Sequence, residues 1–279
     1  MSPKILSRGA ALAAVALGAL GAGTAAADTT TVADPTARNV TAYGTTVAWS
    51  RKAGDGWHLV VAQGAAVADA PVPASSSPYD PDLGPTKANG RAIVYARGGD
   101  LYRYDVGAAA EQKLTALSSA ATETAPSFFK DVIVFSRTSG KRQGTYISRP
   151  NRKLARLFRT SALETDVAET RIIGRYGTGA KSIIRILNFN ADDVKIVARA
   201  KPGQRVTSPT LTRFNGIWLR VGASSTVEQV GVNAHRGLDV LTADRPLDGK
   251  VQSLATYRIP TFYTNEDGVR RIAPKLRFR

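Results

Sequence analysis

The sequence has no cysteine, one methionine and only two histidines among its 279 residues. Without cysteine the chain has no disulfides, thiolate nucleophile or cysteine zinc ligand, and no site for a lipoprotein anchor. His58 and His235 are the only imidazoles available as acid or base, and no Gly-x-Ser-x-Gly motif or glycine-rich phosphate loop accompanies them. The sequence therefore assigns no catalytic residue, no metal ligand and no cofactor.

The N-terminus has the pattern of an export signal. Lys4 and Arg8 precede an apolar run over residues 9–23, and Ala25–Ala27 offers a small-residue cleavage site before Asp28. This run is shorter than the roughly 20 residues of a membrane span, and no second apolar stretch of spanning length follows. We predict a signal peptide over residues 1–27, a mature chain without a transmembrane segment, and a secreted, extracellular or cell-envelope location.

The mature chain is dominated by a repeated hairpin. Three segments align, each ending in an aromatic residue, a small residue and arginine, and each is followed by a turn and a second strand. Weaker copies continue downstream, with a mean spacing of about 43 residues, which is the length of a four-stranded propeller blade. The sequence predicts an all-β fold, a six-bladed β-propeller of four-stranded antiparallel blades in one domain over residues 28–279. The three clear segments are Thr46–Arg51, Ala92–Arg97 and Val132–Arg137, and the weaker hairpins are Ser182–Ala198, Gly216–Val232 and Thr261–Ile272.

Closing such a ring requires a join between the first and last blades. Thr29–Val32 and the alternating Lys275–Arg279 are both suited to supply the closing strand, so the sequence leaves two alternatives. Proline-containing segments recur between the hairpins and are interpreted as connectors. They are Pro71–Pro85, Ala125–Ser127 and Thr207–Thr210.

Two segments resemble the repeats of TolB-like, WD40-like propellers, including secreted actinobacterial proteins of this type. Ser208–Leu219 resembles the SPxWSPDGxxIAF repeat of that family. Asp100–Val106, followed by Lys113–Thr115, is similar to its IYxxDxxxGxxxxLT half-blade. The resemblance implies a propeller fold and a tendency to bind proteins, and it carries over no catalytic residue.

Positive charge is the compositional feature that stands out. The formal net charge is +16, or +14 without the two basic residues of the signal peptide. Such density attracts polyanions in a salt-sensitive way, although arginine also occurs on solvated strand faces without a ligand. We expect an envelope protein or an anionic cell-wall polymer as partner, no specific nucleic acid, and a monomer. The candidate binding patch consists of Arg142, Arg149, Arg152, Lys153, Arg156 and Arg159, preceded by Lys141.

Arg51, Arg97 and Arg137 occupy the same place in successive repeats. They form either a ring of hydrogen-bond donors around one channel mouth or structural contacts, which would be ion pairs between blades or hydrogen bonds to turn carbonyls.

Acidic residues give the second functional hypothesis. Glu164, Asp166 and Glu169 lie close together in sequence, and paired carboxylates hydrolyse glycosidic bonds. Asp80 and Asp82 supply oxygen atoms of the kind that Ca²⁺ prefers, but without the other ligands of a known loop. We therefore expect a non-enzymatic binding or scaffold module, with a glycan-acting hydrolase or lyase as the alternative.

Overall fold

Antiparallel β-strands account for nearly all regular structure in the computed structural model. The model describes residues 28–233, 238–256, 261–272 and 277–279. The predicted signal peptide and His235 lie outside these ranges. Within the described ranges, no helix is long and apolar enough to cross a bilayer.

The strands are numbered in chain order. The first twelve are β1 (Thr29–Ala33), β2 (Arg38–Tyr43), β3 (Thr46–Ala53), β4 (Gly56–Gln63), β5 (Ala66–Asp69), β6 (Asp82–Pro85), β7 (Arg91–Arg97), β8 (Asp100–Asp105), β9 (Ala110–Lys113), β10 (Glu123–Phe129), β11 (Val132–Arg137) and β12 (Gly144–Ser148). The others are β13 (Ala155–Phe158), β14 (Glu164–Ala168), β15 (Arg171–Tyr176), β16 (Ile183–Asn188), β17 (Val194–Arg199), β18 (Arg205–Leu211), β19 (Asn215–Val221), β20 (Ser225–Gly231), β21 (Leu241–Thr242), β22 (Ser253–Thr256), β23 (Thr261–Asn265) and β24 (Gly268–Arg271). Short 3₁₀ turns cover Thr115–Leu117, Gly140–Arg142 and Gly179–Lys181.

These strands form six four-stranded antiparallel sheets, which are the six predicted blades. Blades 1 to 5 each take four consecutive strands, starting with β2, β6, β10, β14 and β18. In each of them the first strand is innermost. Turn chemistry supports the hairpins: Gly98 and Gly99, between β7 and β8, both have positive φ, which side chains disfavour.

The N-terminal strand closes the ring, which settles one of the two alternatives left by the sequence. Blade 6 has the order β22, β23, β24, β1, and β1 pairs with β24 in antiparallel register. The carboxylate of Asp28 accepts a hydrogen bond from Tyr263 Oη at 2.9 Å. The C-terminus lies elsewhere, since Phe278 forms a bridge with Ala243 beside blade 5.

Six hydrophobic clusters hold the blades together, one at each blade–blade interface. Between blades 2 and 3, for example, Val94 and Leu101 pack with Phe128 and Phe135. Each blade thus buries the apolar face of its neighbour, as the repeat predicted.

The sequence prediction places the hairpin of the fourth repeat one strand too late in the chain. The segment Ser182–Ala198 spans β16 and β17, the outer hairpin of blade 4, whereas the central hairpin is β15–β16. Glycine causes the misreading. Gly174 occupies the place that Trp49 or Tyr95 holds in other repeats, and a Cβ there would lie 3.2 Å from Cε2 of Tyr176.

The proline segments are also corrected by the structure, because they belong to innermost strands and not only to connectors. Pro126 lies within β10 and Pro209 within β18, each at an irregularity in register with the next strand. Pro81 directly precedes β6. An innermost strand has a free edge, so the missing N–H of proline breaks no ladder there.

Candidate functional site

The six innermost strands surround a central channel. One register position recurs in the innermost strands of all six blades, and a second set of residues lies two positions earlier in the chain. The later position holds Thr41, Asp82, Ser127, Asp166, Thr210 and Ala255, and the earlier one holds Asn39, Asp80, Ala125, Glu164, Ser208 and Ser253. The channel opens at one end into a cavity of about 830 Å³, which we call the funnel, and at the other into a narrow cavity of about 80 Å³.

Side-chain oxygens in the channel cap the free edges of neighbouring innermost strands. Asp82 Oδ2 accepts the backbone N–H of Phe128 at 2.6 Å. Asp166 Oδ2 accepts that of Leu211 at 2.6 Å. An unpaired N–H on such an edge would be costly, so these carboxylates join blade 2 to blade 3 and blade 4 to blade 5. Equivalent bonds run from Ser208 N to Glu164 Oε2, from Leu83 N to Thr41 Oγ1 and from Val40 N to Ser253 Oγ.

Burial weakens the acidity of the two capping aspartates. It raises the pKa of Asp166 to about 6, against the opposing effect of the hydrogen bonds from Leu211 and Thr210. Burial, followed by the nearby charge of Asp166, also raises the pKa of Asp82 well above its usual value. Asp166 thus holds its proton to a higher pH than an exposed aspartate does.

Asp80 differs from the other channel acids because its carboxylate makes no hydrogen bond or ion pair within the described residues. Its counterpart in blade 4, Glu164, is one methylene longer, caps Ser208 N at 2.7 Å and accepts from Arg175 Nη2 at 3.0 Å. Burial, and then the charge of Glu164, raises the pKa of Asp80 to about 7, while Arg175 opposes the shift. Asp80 is therefore a channel acid that exchanges a proton near neutral pH.

The three acidic residues predicted as a glycan site lie in two different places in the structure. Glu164 and Asp166 face the channel with Asp80 and Asp82. Glu169 is exposed at the funnel rim, where Lys130 Nζ lies 3.7 Å from it. Among the described residues no group of three or more His, Asp or Glu side chains is placed to hold a metal ion.

The predicted basic patch lies at the outside of blade 3, on β13 and the loops beside it. Arg149 is half-buried and the other predicted members are exposed. Within the described ranges, none of these side chains forms an ion pair with a carboxylate, and no acidic residue occurs between Val132 and Leu163. We call the set the basic edge: Lys141, Arg142, Arg149, Arg152, Lys153, Arg156 and Arg159.

The three repeated arginines contact carboxylates of their own blades. Arg51 Nη2 lies 2.5 Å from Asp69 Oδ1, and both side chains are more than a third exposed. Arg97 binds Glu111 through both terminal nitrogens. Arg137 donates to Glu123 in a buried pair. These ion pairs lie within single blades, so they differ from the predicted ion pairs between blades. Arg137 also donates to the carbonyl of Leu117, in a 3₁₀ turn, at 2.8 Å.

The funnel rim contains residues that the sequence interpretation missed. Two hairpin turns each place a cation over an aromatic ring, Lys130 over Phe129 at 5.1 Å and Arg213 over Phe214 at 5.3 Å. Phe214 is 65% exposed, the highest value among the exposed large hydrophobic residues described. The signal was present in the sequence, because a phenylalanine in a turn between two strands has no core to fill.

His58 lies away from the channel, on β4. Its Nε2 is 2.7 Å from Asp55 Oδ1, and that hydrogen bond lowers the pKa of Asp55.

No family model matches the chain, and no curated protein matches it in sequence. Solved structures with the same fold include TolB from Acinetobacter baumannii (16% identity, TM-score 0.55, 84% of this chain covered). The WD40 repeats of RRP9 match with 10% identity, a TM-score of 0.54 and coverage of 84% of this chain and 91% of that one. Oligogalacturonate lyase from Vibrio parahaemolyticus matches with 6% identity, a TM-score of 0.52 and coverage of 84% and 89%. The chain spans 65% of the TolB structure. These likenesses confirm the TolB-like, WD40-like propeller fold.

Proposed function

We propose that the protein is a binding module that holds an acidic polymer against the basic edge of blade 3. The observation that carries this proposal is the pairing state of the arginines. Arg97, Arg137 and Arg220, which lie within blades, each have a carboxylate partner. The members of the basic edge have none among the described residues, so their charge is available to a ligand.

The local structure supports binding at this edge. β13 is the outermost strand of blade 3, so one row of its backbone N–H and C=O groups is not paired within the sheet. Leu154 is exposed and Leu157 is half-buried between the cations, which gives a ligand apolar contact as well as charge. A polymer that replaces condensed counterions along such a row binds in a salt-dependent way.

The predicted export signal directs the proposal to polymers outside the cytoplasm. An anionic cell-wall polymer is the first choice, and a strongly acidic envelope protein would use the same charges. In neither case does binding require a catalytic residue, a metal or a cofactor.

Retention on an immobilised anionic cell-wall polymer tests the proposal. We expect the wild type to bind at about 50 mM salt and to elute by about 200 mM. Changing Arg152, Lys153, Arg156 and Arg159 together to Gln should weaken binding at least about tenfold. A control with Lys181, Arg199, Lys201 and Arg205 changed to Gln loses the same charge from exposed positions elsewhere and should bind as the wild type does. Equal loss in both variants would show that net charge alone is responsible.

The alternative is a hydrolase or lyase that acts on a glycan in the channel. Its support is the convergence of Asp80, Asp82, Glu164 and Asp166, with Asp80 free of a partner in the described structure and able to titrate near neutral pH. A screen of acidic polysaccharides tests it. Turnover that survives Asp80→Asn and Glu164→Gln would exclude these acids from the chemistry.

A further inference from the structure

The funnel has the size and lining of a small-ligand site. Its volume of about 830 Å³ lies within the range of about 300–1,000 Å³ found for such sites. It opens on the face of the propeller opposite the narrow cavity. The basic edge belongs to the outside of blade 3, so the two surfaces are separate.

The rim combines ring surfaces with positive charge. Phe129 and Phe214 come from blades 3 and 5, and each has its own cation, Lys130 or Arg213, stacked near the ring. Lys130 lies 3.7 Å from Glu169, whereas Arg213 has no ion pair among the described residues. The rim thus offers flat apolar faces and, in Arg213, a guanidinium that matches a carboxylate.

The floor has different chemistry, because it is rich in hydroxyl and carboxylate oxygens. Thr41 and Thr210 lie there beside Asp82 and Asp166. Each carboxylate already accepts a backbone N–H but has lone pairs left for further donors. Such a floor accepts hydrogen bonds from hydroxyl groups and repels a second anion.

We propose that the funnel binds the terminal residue of an acidic oligosaccharide, a hexuronic acid. The sugar ring packs against Phe129 and Phe214, and its carboxylate pairs with Arg213. Its hydroxyl groups donate to the oxygens of the floor. An acidic peptide would satisfy the cations but offers the floor only one backbone N–H donor per residue, and a neutral sugar would satisfy the floor but not the cations.

Calorimetric titration of the full mature chain tests this with three probes: trimannuronate, mannotriose, which lacks the carboxylates, and triglutamate. We expect trimannuronate to bind at least about tenfold more tightly than either of the others. Phe214→Ala and Arg213→Gln should each weaken it by about tenfold, whereas the exposed controls Val67→Ala and Arg199→Gln should not. Phe214 and Arg213 are both exposed, so their variants should retain the wild-type melting temperature.

Three results would overturn the proposal: no measurable binding of trimannuronate, equal binding of mannotriose or triglutamate, or wild-type binding by the Phe214 and Arg213 variants. The fourfold basic-edge variant separates this site from the proposed function. Trimannuronate binding that persists in that variant supports a distinct funnel site. Binding that is lost in that variant and kept in the funnel variants would assign the sugar to the basic edge.

Discussion

Charges inside the propeller and charges at its outer edge differ in what they contact. The interior carboxylates of Asp82, Glu164 and Asp166 each cap a backbone N–H of the next blade. The cations of the basic edge contact no carboxylate in the described structure. Interior charge therefore maintains the fold, while edge charge makes no such contact among the described residues. On the proposed function, the partner of a charge, more than its residue type, separates a structural charge from a binding one.

Among substitutions in the interior of the propeller, Arg137→Met should have the largest effect on the free energy of unfolding. Arg137 is 6% exposed and its partner Glu123 is fully buried, so the substitution leaves a carboxylate unpaired in the interior. We expect the free energy of unfolding to fall by about 3–5 kcal/mol in urea denaturation.

Two controls decide whether this loss reflects the unpaired charge. Arg159→Met, at the edge, should change the free energy of unfolding by less than about 0.5 kcal/mol. Replacing both Arg137 and Glu123 by Met should recover most of the loss, because no buried charge then remains. A double variant as unstable as the single one would show that packing around the pair, and not charge, is responsible.

Asp166→Ala should have the next largest effect. It removes the acceptor for Leu211 N and Thr210 Oγ1, so a strand edge loses its cap. We expect a loss of about 2–3 kcal/mol in the free energy of unfolding, measured by the same denaturation. Asp239→Ala, at an exposed position, serves as the control. Equal effects at the two sites would contradict the structural role given to the channel acids.

The pH dependence of stability tests Asp80 next. Its folded pKa of about 7 lies above the ordinary aspartate value of 3.8, so the folded state binds more protons than the unfolded state between these values. The contribution of Asp80 to the free energy of unfolding is therefore fully present below about pH 4 and is lost as the pH rises through about 7. The free energy of unfolding of the wild type, minus that of Asp80→Asn, should fall by about 1 kcal/mol or more between pH 4.5 and 7.5.

Ionisable groups that do not interact with Asp80 change with pH in the same way in both proteins, so they cancel in this difference. A difference that does not vary with pH would mean that Asp80 has an ordinary pKa. A difference that rises with pH would mean that an unseen partner stabilises its charged form.

The fold was predictable from the sequence because hairpins with an aromatic residue in the first strand, such as Trp49 or Tyr95, repeat at the spacing of a propeller blade. The fourth repeat was misplaced because Gly174 carries no side chain to mark it. Asp80, Asp82, Glu164 and Asp166 were candidates in the sequence, but their convergence in one channel was not predicted. Asp80 and Asp82 sit beside prolines typical of connectors, and the register that they share with Glu164 and Asp166 is visible only once the strands pair. The basic edge is evident in sequence, but the partner of each arginine depends on contacts between strands.

The smallest expected effect is on the salt dependence of polymer binding, and it compares an arginine of the basic edge, without an ion pair among the described residues, with a paired arginine of blade 1. Arg152→Gln should lower the slope of log affinity against log salt by about one and leave the unfolding curve unchanged. Arg51→Gln removes the same charge from an exposed arginine, but that arginine is already paired with Asp69 at 2.5 Å. The slope of log affinity against log salt for Arg51→Gln should match that of the wild type, because a cation neutralised by a neighbouring carboxylate displaces few counterions from a polyanion. If both substitutions lower the slope equally, the polymer responds to the overall field of the protein, and pairing no longer distinguishes a binding arginine from a structural one.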